Sequence, residues 1–342
     1  MTAPDPFHAS PSSVPSRDLA VSRMEVTLVR WPLKMKRRHG VGDIETTLPG
    51  VILKLTTAGG LVGWGEAAPW SVFSGTAEAN AAALDVYLRP LVLGRPAWDV
   101  QAILDAADHT VVGHAEAKAA LEMALDDLRG QALGVPLAEL HGGVVRRSIP
   151  LSVSIANPDF DEDLDFARAR LSEGVRLYKV KTGFLSHAED LVRLERLAAI
   201  LPADAEIRID YNQGLEAYDA LRKVRDMEAF RPGFIEQPVP RDRRDTMAML
   251  ADAIATPILA DESVFTPAEA VEMVRHRFAD AVSIKLMKCG GIRRGKAIAA
   301  IAEAAGIPAY GGTMFEAGVA LAAGIHLVAS TPNIALGAEF YT

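Results

Sequence analysis

From Ile149 onward the chain alternates short apolar, β-branched runs with longer amphipathic stretches. The short runs are "IPLSVSI", "RLYKVK", "EIRIDYN", "GFIEQP", "PILADES", "AVSIKL", "IPAYGG" and "NIALGA". Stretches between them, such as "AEDLVRLERLAAIL" and "RRGKAIAAIAEAAG", carry apolar residues at helical spacing. Strand alternating with helix predicts a parallel sheet, and eight strands predict a closed (β/α)8-type barrel, a modified TIM barrel. An open doubly wound sheet is the alternative. Its dinucleotide-binding form is disfavoured because no Gly-rich phosphate loop follows the first strand.

Ahead of this rhythm, residues 21–145 read as an α+β unit. "RMEVTLVRW" predicts a strand, and "GVILKLTTAGGLVGWGEA" predicts two more around a Gly-Gly turn. Ala117, Ala120, Leu121, Ala124, Leu125 and Leu128 form one apolar stripe and predict a helix over 115–129, closed by Gly134 and Pro136. The first twenty residues, "MTAPDPFHASPSSVPSRDLA", are rich in Pro and Ser and lack the apolar core of a signal peptide. The expected organisation is a disordered lead-in at 1–20, an α+β capping domain at 21–145 and a catalytic barrel at 146–342.

Composition narrows the partners. With 342 residues, 49% of them hydrophobic, a sizeable core is assured. A formal charge of −8 gives no footprint for nucleic acid, and no apolar run approaches a membrane span. The single cysteine, Cys289, forbids an internal disulfide and fits a reducing cytoplasm. It reads as packing, because no histidine stands near it in sequence. His114 and His326 lie in helical stretches and read as structural.

The polar exceptions inside the strands carry the chemistry. Lys179 and Lys181 of "RLYKVKTG" share one face of a strand, because side chains alternate. Lys181, Asp210, Glu236, Asp261 and Lys285 stand at the C-terminal ends of successive strands, 29, 26, 25 and 24 residues apart. In a barrel that end carries the active site. Three adjacent carboxylates would repel one another without a counterion, and all-oxygen ligation favours Mg2+, with Mn2+ as an alternative. Lysines near such an ion and near each other are expected to have lowered pKa values and to serve as bases.

These stretches together, "KVKTG", "RIDYNQG", "FIEQPVP", "ILADES", "SIKLMKCGGI" and "AAGIPAYGGTMFE", resemble the enolase superfamily and its muconate-lactonising branch. "GLVGWGEA" extends the resemblance into the capping domain. The resemblance implies that Asp210, Glu236 and Asp261 bind the metal. It implies that Lys181 and Lys285 are acid/base partners on opposite substrate faces and that Lys179 helps hold the substrate carboxylate. Asn212 is implied as a polar group behind the site, and Glu316 matches an acidic position of this branch. The shared chemistry is proton removal α to a carboxylate through a metal-stabilised enediolate, and a Lys or His base paired with Mg2+ is general for the superfamily.

The substrate implied is a small carboxylate, muconate first, with isomerisation by lactone formation. Racemisation or epimerisation of N-acylamino acids, dipeptides or proline-type acids, and an o-succinylbenzoate synthase-type dehydration, are the alternatives. Dipeptide epimerases commonly carry an Asp-x-Asp pair after the last strand. Here "ALGAEFYT" offers only Glu339, which argues against a dipeptide. Two loops, 34–49 and 68–76, are expected to cover the mouth. They offer Arg37, Arg38 and His39 for a second carboxylate, and Trp70 and Phe73 for an apolar wall. The resemblance also implies a homo-oligomer, from dimer to octamer. The chain ends at Thr342, where relatives usually return to the cap, so either a shortened chain or a less firmly tied cap is expected. Two other classes remain open: a Schiff-base aldolase on one of the lysines, which would leave the carboxylates without a task, and a silent binding protein on the same scaffold.

Overall fold

Strand β1 (Val21–Pro32) opens the described chain and pairs antiparallel with the second long strand of the cap. The computed structural model describes residues 19–33, 36–44 and 47–340. The lead-in expected at 1–20 falls almost wholly outside them, as does Thr342. A short hairpin follows, β2 (Arg37–His39) and β3 (Gly42–Ile44), then β4 (Thr47–Thr57) and β5 (Val62–Ala67). The sheet order is β1-β4-β5. Val51, Leu53 and Leu55 of β4 alternate inward, as a half-buried strand requires. The helix Ala115–Leu133 lies on this sheet, four residues longer than its apolar stripe predicts. Gly63 and Gly65 make that approach possible. A Cβ at Gly65 would stand 1.9 Å from the Ala120 carbonyl oxygen, and one at Gly63 would stand 2.2 Å from that of Ala124.

All eight expected barrel strands form. They are β6 (Ser152–Ile155), β7 (Leu177–Lys181), β8 (Glu206–Asp210), β9 (Ile235–Glu236), β10 (Ile258–Ala260), β11 (Ala281–Lys285), β12 (Ala309–Gly312) and β13 (Ile334–Ala338). They run in one parallel sheet in sequence order. A bridge between Leu151 and Ala338 joins the last strand to the first, so the sheet curls into a nearly closed barrel. The intervening helices start where their sequences say. Ser186 and Glu189 form a reciprocal capping box at His187–Ala198, and Thr266 and Glu269 form another at Pro267–His276. Phe234, Leu259, Ala281 and Tyr310 pack as an apolar floor inside the barrel, and the ionisable groups stand nearer its C-terminal end.

Two buried glutamates of the cap dock it to the barrel. Glu66 accepts the N–H groups of Ala317 and Ala320, at 2.6 and 3.0 Å, at the start of the helix Gly318–Ala329. Glu122 accepts the N–H of Arg293 at 3.2 Å, at the start of Ile292–Ala304. Neither helix has a side-chain cap of its own, so each takes its N-terminal acceptor from the other unit.

Candidate active site

Register sets the site. Lys181 pairs with Asp210, and Asp210 with Glu236, so three neighbouring strands end on a charged side chain at one level. Asp261 lies one residue past β10, and Lys285 ends β11. β7 and β11 are four strands apart in an eight-strand sheet. Lys181 and Lys285 therefore stand on opposite sides of the barrel, with the carboxylates between them.

Every carboxylate is held by an ammonium. Lys181 donates to Asp210 Oδ2 and, at 3.0 Å, to Asn212 Oδ1. Lys285 donates to Asp261 Oδ2 at 2.5 Å. Lys179 is completely buried and lies 3.0 Å from Glu236, 3.3 Å from Asp210 and 2.7 Å from Glu339. Burial works against the charge on Lys179 and Lys285. The adjoining carboxylates outweigh it and hold both above the ordinary lysine value. Contact with carboxylates, not with other cations, dominates these two ammonium groups; the lowered values expected of lysines apply beside a divalent ion. Burial raises Glu236 to about 7, with Asp210 adding to the rise. Glu262 is pushed to about 8 by burial and the adjacent Asp261.

The donor set fits a hard divalent cation. The three buried carboxylates supply only oxygen, and Glu236 Oε1 is buried without a hydrogen-bond partner. Among the described residues the tighter group is elsewhere: Glu122, Asp126 and His141 offer ligand atoms within 4.8 Å of one another. That group is already neutralised by Arg293, 3.4 Å from Glu122, and by Arg129 on Asp126, and its glutamate caps a helix.

A narrow cavity of about 10 Å³ brings together Lys181, Lys285, Asn212, Trp70 and Phe73, with His39, Thr313, Met314, Phe315 and Glu339 completing its wall. It has room for about one water. His39 is wedged edge-on against Trp70 at 4.9 Å and Phe315 at 5.7 Å. Burial, then Lys181, hold its pKa well below the usual value.

The remaining expected residues do not line this cavity. Lys179 sits below the cavity and does not line it. Arg38 is exposed and pairs with Asp43 of its own hairpin at 3.1 Å. Arg37 and Glu316 line a separate cavity of about 790 Å³ beside β6 and Phe340. Burial raises Glu316 to about 7. Lys288 was not singled out from the sequence. It donates to Asp261 Oδ1 at 2.8 Å and to the Asp261 carbonyl at 2.7 Å. Glu262 accepts from the Asn212 amide at 3.2 Å. The neighbouring letters "DES" and "KLMK" carried both residues, but strand alternation gives no reason to choose them.

A parallel barrel whose strand ends converge opposed lysines on an oxygen-ligand cluster defines a class of enzyme that moves protons next to carboxylates. The comparisons place the chain within that class. Residues 162–342 match the family described as enolase C-terminal domain-like, and residues 20–142 match the mandelate racemase / muconate lactonizing enzyme N-terminal domain. The chain belongs to this family and is an isomerase of the enolase superfamily. It is 38% identical over 327 residues to a chloromuconate cycloisomerase of Cupriavidus pinatubonensis, covering 94% of this chain and 87% of that one. It is 34% identical over 319 residues to the L-Ala-D/L-Glu epimerase of Bacillus subtilis, covering 92% and 87%. The solved muconate cycloisomerase from Azorhizobium caulinodans is 49% identical, with a TM-score of 0.83 and coverage of 94% and 86%.

Proposed function

We propose that the chain is a divalent-metal-dependent isomerase in which Lys181 and Lys285 exchange a proton at the carbon α to a substrate carboxylate. The observation that carries this reading is their placement on opposite strands, both facing one cavity above Asp210, Glu236 and Asp261. These three carboxylates would hold Mg2+, with Mn2+ as a substitute. The ion, when bound, supplies fixed positive charge against the negative charge that develops on the carboxylate as the α proton leaves. Asn212 orients Lys181 through the 3.0 Å bond, and Phe73, 4.8 Å from the Lys285 ammonium, shields that lysine from water. Trp70, Phe73 and His39 exclude solvent once the cap is seated.

The substrate class we infer is a muconate-like unsaturated carboxylate. A substrate carboxylate oxygen would add to one carbon of a conjugated C=C bond and close the lactone, the π electron pair would shift to the carbon α to the other carboxylate, and one lysine ammonium would give that carbon its proton and become a neutral amine. Similarity to cycloisomerases supports it, as does the lack of an Asp-x-Asp pair near Glu339. Racemisation or epimerisation of an acylated amino acid is the second reading. Two opposed lysines suit removal from one face and return to the other, and Glu339 in the cavity wall does not favour a second substrate carboxylate. A screen of the Mg2+-loaded protein decides between them. Muconates should give lactone without an enantiomer requirement, whereas N-acylamino acids should exchange the α proton with solvent. We further infer a cap ending near Val145, a cytoplasmic location and a homo-oligomer. No helix among the described residues is long and apolar enough to cross a membrane.

A further inference from the structure

Two lysines share one aspartate, and they share it unequally. β11 ends at Lys285, and the single helical turn Leu286–Cys289 brings Lys288 back beneath it. Lys285 takes Asp261 Oδ2 and faces the cavity. Lys288 takes the other oxygen, Oδ1, and also the Asp261 backbone carbonyl. Its ammonium is fully buried, lies 5.6 Å from the Phe265 ring, and does not line the cavity. Gly290 and Gly291, at φ 81° and 121°, turn the chain away immediately afterwards. The local backbone is thus built to return this one side chain to Asp261.

We infer that Lys288 is a positioning residue for the proposed metal centre: by holding Oδ1 and the backbone carbonyl it fixes the Asp261 carboxylate, with Oδ2 kept on the side of Lys285. The inference rests on the proposed metal-binding role of Asp261. Two donors on Oδ1 and on the carbonyl lock both the torsion of the side chain and the loop that carries it. Without them the carboxylate is free to turn onto Lys285, which then competes with the ion for both oxygens. Groups behind a ligand that orient it typically contribute about 10- to 100-fold to metal affinity or activity.

The test is Mn2+ binding, followed by calorimetry and by the electron paramagnetic resonance spectrum of the bound ion, with no substrate present. Lys288→Met should weaken Mn2+ about tenfold or more and change the spectrum. Lys288→Gln keeps donors but not the charge, and should recover most of the affinity. Should the Met variant fail to fold, Lys288→Ser, which leaves room for water, reads the same loss. Unchanged or tighter Mn2+ binding in the folded Met or Ser variant would overturn the inference, because a lysine acting by charge alone repels the ion. If the wild-type protein itself binds no Mn2+, the proposed function has failed instead.

Discussion

Lys179 and Lys181 occupy alternate positions of one strand yet meet different surroundings. Both point into the barrel, but only Lys181 reaches the level of the cavity. Lys179 is one layer lower, against Glu236 and against Glu339 from the last strand. Burial works to raise Glu339, but Lys179 and then Lys181 hold it at about 2, so it stays charged. Lys179→Met should deprive Glu236 and Glu339 of their nearest buried counter-charge. Breaking a buried pair this way costs about 3–5 kcal/mol. A melting experiment should therefore detect it even without substrate, and an unchanged Tm would contradict the pairing. Arg38 is the opposite case. An exposed pair is worth about 0–1 kcal/mol, so Arg38→Ala should leave KM for any carboxylate within about twofold. A tenfold rise would return Arg38 to the site. Strand alternation made the inward lysines legible in the sequence. The depth of each lysine was not legible, because it depends on register across strands far apart in the chain. Lys288 escaped because it follows the strand on a helical turn, where the period of two no longer applies.

At the scale of elements, the eight barrel strands and the helices between them were legible because each hydrophobic run matches its period and each gap holds an amphipathic stretch. The β2–β3 hairpin was not. Three-residue strands reading "RRH" and "GDI" look like a basic loop, and only docking orders them. The Arg38 N–H donates to the Ala156 carbonyl at 2.8 Å, and Gly40 rests on β8's end, where a Cβ would stand 2.1 Å from the Tyr211 carbonyl oxygen. Gly40→Ala should lift the hairpin, withdraw His39 from the cavity and lower kcat/KM about tenfold or more, as a misplacement near 1 Å can cost about a hundredfold. Its Tm should hardly move, because the hairpin is peripheral to both cores. A variant with wild-type kinetics would separate the hairpin from the site.

At the scale of the whole molecule, the cap is joined to the barrel by carboxylates that serve as caps for helices they do not belong to. Burial, aided by Asp126, raises Glu122 to about 7. Its folded pKa therefore exceeds its unfolded value near 4.3. Between about pH 4.5 and 7 the folded state binds more protons than the unfolded state, so this group makes stability fall as pH rises. Glu122→Gln removes that dependence. The stability of the variant relative to wild type should increase between pH 5 and 7, as read by thermal melts across that range. A difference independent of pH would show that Glu122 is ionised in both states. The spacing of the five charged strand ends made the family chemistry legible at this scale. The cap-to-barrel contacts were not legible, since Glu66 and Glu122 meet helices more than a hundred residues away.

The central claim is that Lys181 and Lys285 work on opposite faces of a carboxylate substrate, at a site where Asp210, Glu236 and Asp261 would hold a divalent ion. Solvent deuterium uptake at the α carbon, followed by proton NMR in D2O, tests it most directly. The Mg2+-loaded protein should incorporate deuterium with its substrate, and EDTA should stop it. Lys181→Met and Lys285→Met should each lower turnover by about 10²- to 10⁴-fold, the usual worth of a positioned acid or base. With a chiral substrate, each variant should retain exchange from one enantiomer only. Uptake at the wild-type rate in both variants, or full uptake after chelation, would contradict the account.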